Sequence, residues 1–107
     1  QRAQAERFGV EVVEMKYFEL SKTIRFEWPV YLSFDIDVLD PAFAPGVSHF
    51  EPGGMTTRDA LSVIQAFEGR LVGADIVEIN PKRDPSGMTA MVGAKVLKEL
   101  AGRLLAG

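Results

Sequence analysis

At 107 residues the chain has material for one small domain, and 47% of it is apolar. Twelve Lys and Arg against fifteen Asp and Glu leave a formal charge of −3, which argues against a nucleic-acid surface, since that needs a basic patch. The lack of Cys excludes a disulfide framework and any thiolate metal site, and no apolar run is long enough to span a bilayer, so no membrane partner is expected.

In chain order, Gln1 to Phe8 holds good helix formers and stops at Gly9, a C-capping residue, which predicts the last turns of a helix. Val10 to Met15 is rich in β-formers and predicts a short strand. Lys16 to Pro29 is mixed and charged, a connection with at most a helical turn. Val30 to Asp35 predicts a strand apolar on both faces, as in a buried parallel sheet. Asp40 to Gly54 carries three of the six prolines and reads as irregular loop. Thr56 or Thr57 caps a helix running to about Phe67, with Leu61 and Ile64 setting its rhythm and Gly69 ending it. Leu71 to Ile79 is the next strand, stopped by Asn80-Pro81. Pro81 to Gly87 is loop, and Met88 to Leu105 is a long amphipathic helix. Its stripe holds Met88, Met91, Val92, Val96, Leu97, Leu100 and Leu104, with Lys95, Lys98, Glu99 and Arg103 mostly off it. Strand, helix, strand, helix is the alternation of an α/β protein with a parallel sheet.

Chemistry concentrates where the strands end. On a strand, Asp35 and Asp37 at i and i+2 share a side, and two hard oxygens pointing together suit a divalent metal; the plainer alternative is a pair of strand-end acids capping a turn. Glu78 closes the following strand, so strand direction alone brings the three carboxylates to one sheet edge. Asp75, mid-strand among apolar residues, reads as a buried, hydrogen-bonded structural acid. Asp40 opens a Pro-containing turn as an Asx-type turn former. His49 is either an active-site loop residue or a simple loop polar group, and Arg58 and Arg83 are exposed-type cations. Gly53-Gly54 is a turn and not a phosphate loop, because no Lys-Ser/Thr pattern follows.

Three stretches in order, Asp35-Ile36-Asp37-Val38-Leu39-Asp40-Pro41-Ala42-Phe43-Ala44-Pro45-Gly46, Glu51-Pro52-Gly53-Gly54-Met55-Thr56 and Gly73-Ala74-Asp75-Ile76-Val77-Glu78-Ile79-Asn80-Pro81, resemble the ureohydrolase family of arginases and agmatinases. Pro45 to Gly54, with Pro81-Lys82-Arg83-Asp84 and Gly87-Met88-Thr89-Ala90-Met91, is most similar to the plant-type arginase branch. The resemblance implies that residues 1–107 are the C-terminal third of a single ureohydrolase domain, a three-layer αβα fold on a parallel sheet. It implies a binuclear manganese amidinohydrolase acting on a small guanidino substrate, either L-arginine to ornithine and urea or, as the alternative, agmatine to putrescine and urea. Within it Asp35 would bridge two Mn²⁺ ions, Asp37 would chelate one, and Glu78 would hold the guanidinium; His49 stands at a loop position that varies across the family and is the candidate for a further substrate contact. The family draws its remaining ligands from two earlier motifs, an isolated His and an Asp-x-His-x-Asp run, both expected upstream of Gln1, and His49 matches neither. The 107 residues alone are therefore expected to bind metal weakly and to be inactive. The family's trimers and hexamers imply a homo-oligomer, with Arg58 and Arg83 as candidates for subunit contacts. In that fold the strand matching Val10 to Met15 lies apart from the last two, so open edges would make this stretch survive by oligomerising or swapping. The compartment implied is cytoplasmic, or mitochondrial if the plant likeness extends that far. A competing reading is a non-catalytic binding module of the same fold.

Overall fold

Val30–Asp35 and Leu71–Val77 form the only two strands, β1 and β2, and they pair in parallel with Leu32 opposite Ala74 and Phe34 opposite Ile76. The computed structural model describes residues 1–107. Around the sheet run α1 (Arg2–Arg7), α2 (Thr57–Ala66) and α3 (Met88–Ala106), with 3₁₀ turns at Met15–Tyr17, Ile36–Val38 and Pro81–Arg83. The register slips by one residue after Val30, which pairs with Leu71 while Tyr31 pairs with Gly73.

Helix α2 starts where the sequence puts it. Thr56 accepts the Asp59 N–H at 3.0 Å and its own N–H donates back to the Asp59 carboxylate at 3.2 Å, a reciprocal cap. The helix carries the chain from β1 across to β2, and α3 then packs against both α2 and β2. One core results, with Phe34 from β1, Ala60, Leu61 and Ile64 from α2, Leu71 from β2, and Val96 and Leu100 from α3. Along α3 the buried seam is Thr89, Gly93, Val96 and Leu100. Met88, Met91, Leu97 and Leu104 of the expected stripe are exposed, because α2 and the sheet meet only one side of the helix.

Two expectations fail for the same physical reason, a missing neighbour. Val10 to Met15 forms no strand: it runs as irregular chain into the Met15–Tyr17 turn, with Val10, Val12 and Val13 exposed, since no second strand lies beside it to accept its hydrogen bonds. Strand β1 is apolar-packed on one face only. Its other face presents Tyr31 (63% exposed), Ser33 and Asp35, and no helix lies over them. The Tyr31 hydroxyl and Ser33 Oγ both donate to Asp75, at 2.9 and 2.7 Å. Asp75 is thus hydrogen-bonded, but half-buried on the open face and not in the core.

Strand β2 stops at Val77, two residues short of its expected end, because Glu78 adopts a left-handed backbone (φ 76°) that cannot continue the ladder. Residues 24–30 also find partners: Phe26 N–H donates to Glu68 O and Glu68 N–H to Ile24 O, each at 2.8 Å. No helix of the chain is long and apolar enough to cross a membrane.

Candidate functional site

Asp35 is the last residue of β1, and its carboxylate caps the turn that follows by accepting the Asp37 N–H at 3.1 Å. Asp37 therefore lies in a 3₁₀ turn and is not the next alternate residue of a strand, which corrects the i, i+2 strand geometry expected for the pair. The turn still brings the two carboxyls together, anchored by Ile36, which is wholly buried between them. Partial loss of water first, then a hydrogen bond and repulsion from Asp35, push the Asp37 carboxyl above its ordinary range. Glu78 adds to that push and His49 opposes it, so all three neighbours act on the Asp37 carboxyl.

Glu78 reaches this edge from β2. Asp35 pairs with Val77, so Glu78 follows immediately beyond the last rung of the ladder. Its left-handed φ is a conformation that a side chain with a Cβ holds only where the surroundings impose it. His49, Asp35 and Glu78 are all exposed, and Asp37 is half-buried.

The loop that bears His49 is tied at both ends. Asp40 accepts the Ala42 N–H at 2.9 Å and the Gly53 N–H at 2.8 Å, so one carboxylate forms the Asx turn and also closes the loop as an Ω. Those backbone donors hold the Asp40 carboxyl below its ordinary range. Gly54 lies against the chain at the same closure, where a Cβ would come within 2.6 Å of Val38 O. On the far side, Gly46 N–H donates to Thr89 Oγ1 (2.8 Å), and Asp84 accepts the N–H groups of Thr89 (3.0 Å) and Ala90 (2.9 Å), capping α3 from outside it. Arg83 is exposed, and its Nη1 donates to Ser48 O at 3.2 Å. Arg58 is exposed on the first turn of α2.

The structural roles of Asp84, Ser48 and Asn80 were not read from the residues. The available signals were Asn immediately before Pro, and an acid shortly ahead of a helix.

No group of three or more His, Cys, Asp or Glu side chains lies together so as to hold a metal ion. The donors this chain offers are the two carboxylates of Asp35 and Asp37, which suit a hard divalent ion but are too few to make a binuclear centre by themselves. Glu78 beside them is a carboxylate able to take a cation through charge-assisted hydrogen bonds.

A sequence model of the arginase family matches residues 1–102. The mitochondrial arginase 1 of Arabidopsis thaliana is 49% identical over 111 residues, covering 96% of this chain and 32% of that protein. The solved arginase of Medicago truncatula superposes with a TM-score of 0.87 at 45% identity, over 96% of this chain and 35% of that one. An arginase-like protein of T. brucei, solved as a triple mutant bound with Mn²⁺, gives 0.85 at 31% identity, over 96% and 38%. The chain spans about a third of the length of the Arabidopsis relative.

Proposed function

The chain belongs to the arginase family, and from that premise we propose that residues 1–107 are the C-terminal part of a single amidinohydrolase domain that converts L-arginine and water to ornithine and urea. The carrying observation is the Asp35–Asp37 carboxylate pair set at the ladder end beside Glu78. In this reading Asp35 and Asp37 are the chain's share of the donors to two Mn²⁺ ions, and the imidazole ligands come from family sequence outside these residues. The metal pair, when bound, supplies a water acidified towards hydroxide at neutral pH. Glu78 takes the guanidinium through paired N–H contacts and fixes its central carbon, while His49 forms part of the wall of the same site. Water adds to that carbon, Cζ, and the Cζ–Nε bond breaks; Nε takes a proton from the added water and leaves as the side-chain amine of ornithine, and Cζ with the water oxygen is released as urea.

Arginine is favoured over agmatine by likeness to the plant arginases, and the Mn²⁺ bound by the triple mutant of the T. brucei arginase-like protein supports the choice of metal. The same likeness supports a mitochondrial compartment. The test is to express the complete reading frame that encodes Gln1–Gly107 and to assay urea from L-arginine and from agmatine with Mn²⁺. Urea from arginine that Asp37→Ala removes is the expected result. A folded, Mn²⁺-supplied product silent toward both substrates would sink the proposal in favour of a binding module.

A further inference from the structure

Glu78 and His49 belong to separate segments, and Asn80 makes more of the hydrogen bonds that fasten those segments together than any other residue. Asn80 uses three groups to do it. Its backbone N–H donates to Gly46 O at 2.8 Å, its Nδ2 donates to Ser48 Oγ at 2.9 Å, and its Oδ1 accepts the Lys82 N–H at 3.1 Å. Pro81 disfavours helical backbone at the residue before it, and Asn80 sits extended (φ −112°, ψ 99°) with its carboxamide directed across to the loop. Val47 and Ile79 form an antiparallel bridge beside it, and Arg83 holds the Ser48 carbonyl, the peptide that leads into His49. His49 is the first residue past the last of these ties.

We propose that Asn80 is a positioning residue of the guanidino site: through Ser48 it sets the approach of His49 to Glu78. The inference rests on the roles given to Glu78 and His49 above. Asn80 stands two residues beyond Glu78, whose left-handed backbone persists only where neighbours over-determine it. The same residue therefore steadies the carboxylate segment from one side and the histidine loop from the other. A guanidinium gripped by Glu78 tolerates little displacement of the opposite wall, since productive binding depends on alignment at about the 1 Å level.

Ser48→Ala in the full-length protein removes the tie and leaves the Asn80 turn intact. It is expected to raise KM for L-arginine about fivefold, the factor that about 1 kcal/mol corresponds to, with kcat unchanged and the thermal midpoint lowered by only a few degrees. Ser48→Thr, which keeps the hydroxyl, restores KM, and in a His49→Ala background Ser48→Ala has no further effect. Asn80→Ala acts in the same direction. An active parent whose KM ignores Ser48→Ala, or responds equally with and without His49, overturns this inference alone. A parent silent toward every guanidino probe removes the functional reading and the inference with it.

Discussion

Asp84 shows how one carboxylate can govern a loop and a helix together. Its oxygens take the Thr89 and Ala90 N–H groups, two of the donors that the first turn of α3 cannot satisfy internally, and its side chain lies against Gly46. The contact is close enough that a Cβ on Gly46 would meet Asp84 Cβ at 2.6 Å and Thr89 Oγ1 at 2.8 Å, so only glycine fits there. The Ala90 and then the Thr89 N–H hold the Asp84 carboxyl below its ordinary range. A carboxyl whose folded pKa is depressed contributes stability that is complete above the unfolded value of about 3.9 and drains away as pH falls through the lower folded value. Urea unfolding midpoints of the wild-type chain should therefore drop steeply below about pH 4. Asp84→Asn, which keeps an acceptor but cannot titrate, should start lower and fall less. Parallel curves for the two proteins would show that this carboxyl is not the titrating group.

At the level of elements, α2 is secured at both ends by different means. Its start is capped locally, by Thr56 and Asp59 three residues apart. Its end is held from α3: Arg103 donates to the carbonyls of Gln65 (3.1 Å), Phe67 (2.8 Å) and Gly69 (3.2 Å) and lies 4.0 Å over the Phe67 ring. A lysine keeps the charge but loses the planar fork that serves three carbonyls at once. Arg103→Lys is expected to cost about 1–2 kcal/mol, read from urea unfolding; a change below about 0.5 kcal/mol would mean the fork is solvated and idle. This contrast also explains what the sequence could disclose. Helices α2 and α3 and strand β1 were legible because caps and apolar rhythm are local signals, and the DxD-to-Glu order pointed to three carboxylates that lie at one end of the sheet. Arg103 read only as a residue off the stripe, since its partners lie 34 to 38 residues away. Asp37 was misplaced because the Asp35 side chain, and not backbone propensity, turns the chain there. Val10 to Met15 has strand composition without a strand partner, and composition cannot supply one.

For the whole molecule, surface area gives the governing argument. A monomeric globule of this mass exposes about 5,900 Å², whereas the chain exposes 7681 Å². Its radius of gyration is 14.4 Å against about 13 Å for a compact domain of this length. The excess, about 1,800 Å² on one chain by the same scaling, is more than the roughly 800 Å² that a standard interface takes from each partner. It has definite locations. Both sheet edges are unpaired, the Tyr31–Asp75 face carries no layer, and a groove of about 460 Å³ runs along β2 and α3 past Ala74, Ile79, Gly93 and Leu97. Bare parallel edges and an apolar helix flank favour association over solvation. By itself the 107-residue chain should sediment as a dimer or larger species at micromolar concentration. Leu97, 60% exposed on the outer flank of α3, contributes little to the internal core. Leu97→Glu should therefore shift the chain toward monomer while leaving its helical content unchanged. If the unsubstituted chain already sediments as a stable monomer, the exposed faces are tolerated by solvent and the area argument fails. If Leu97→Glu leaves the association intact, the sheet edges hold the copies together and the groove does not.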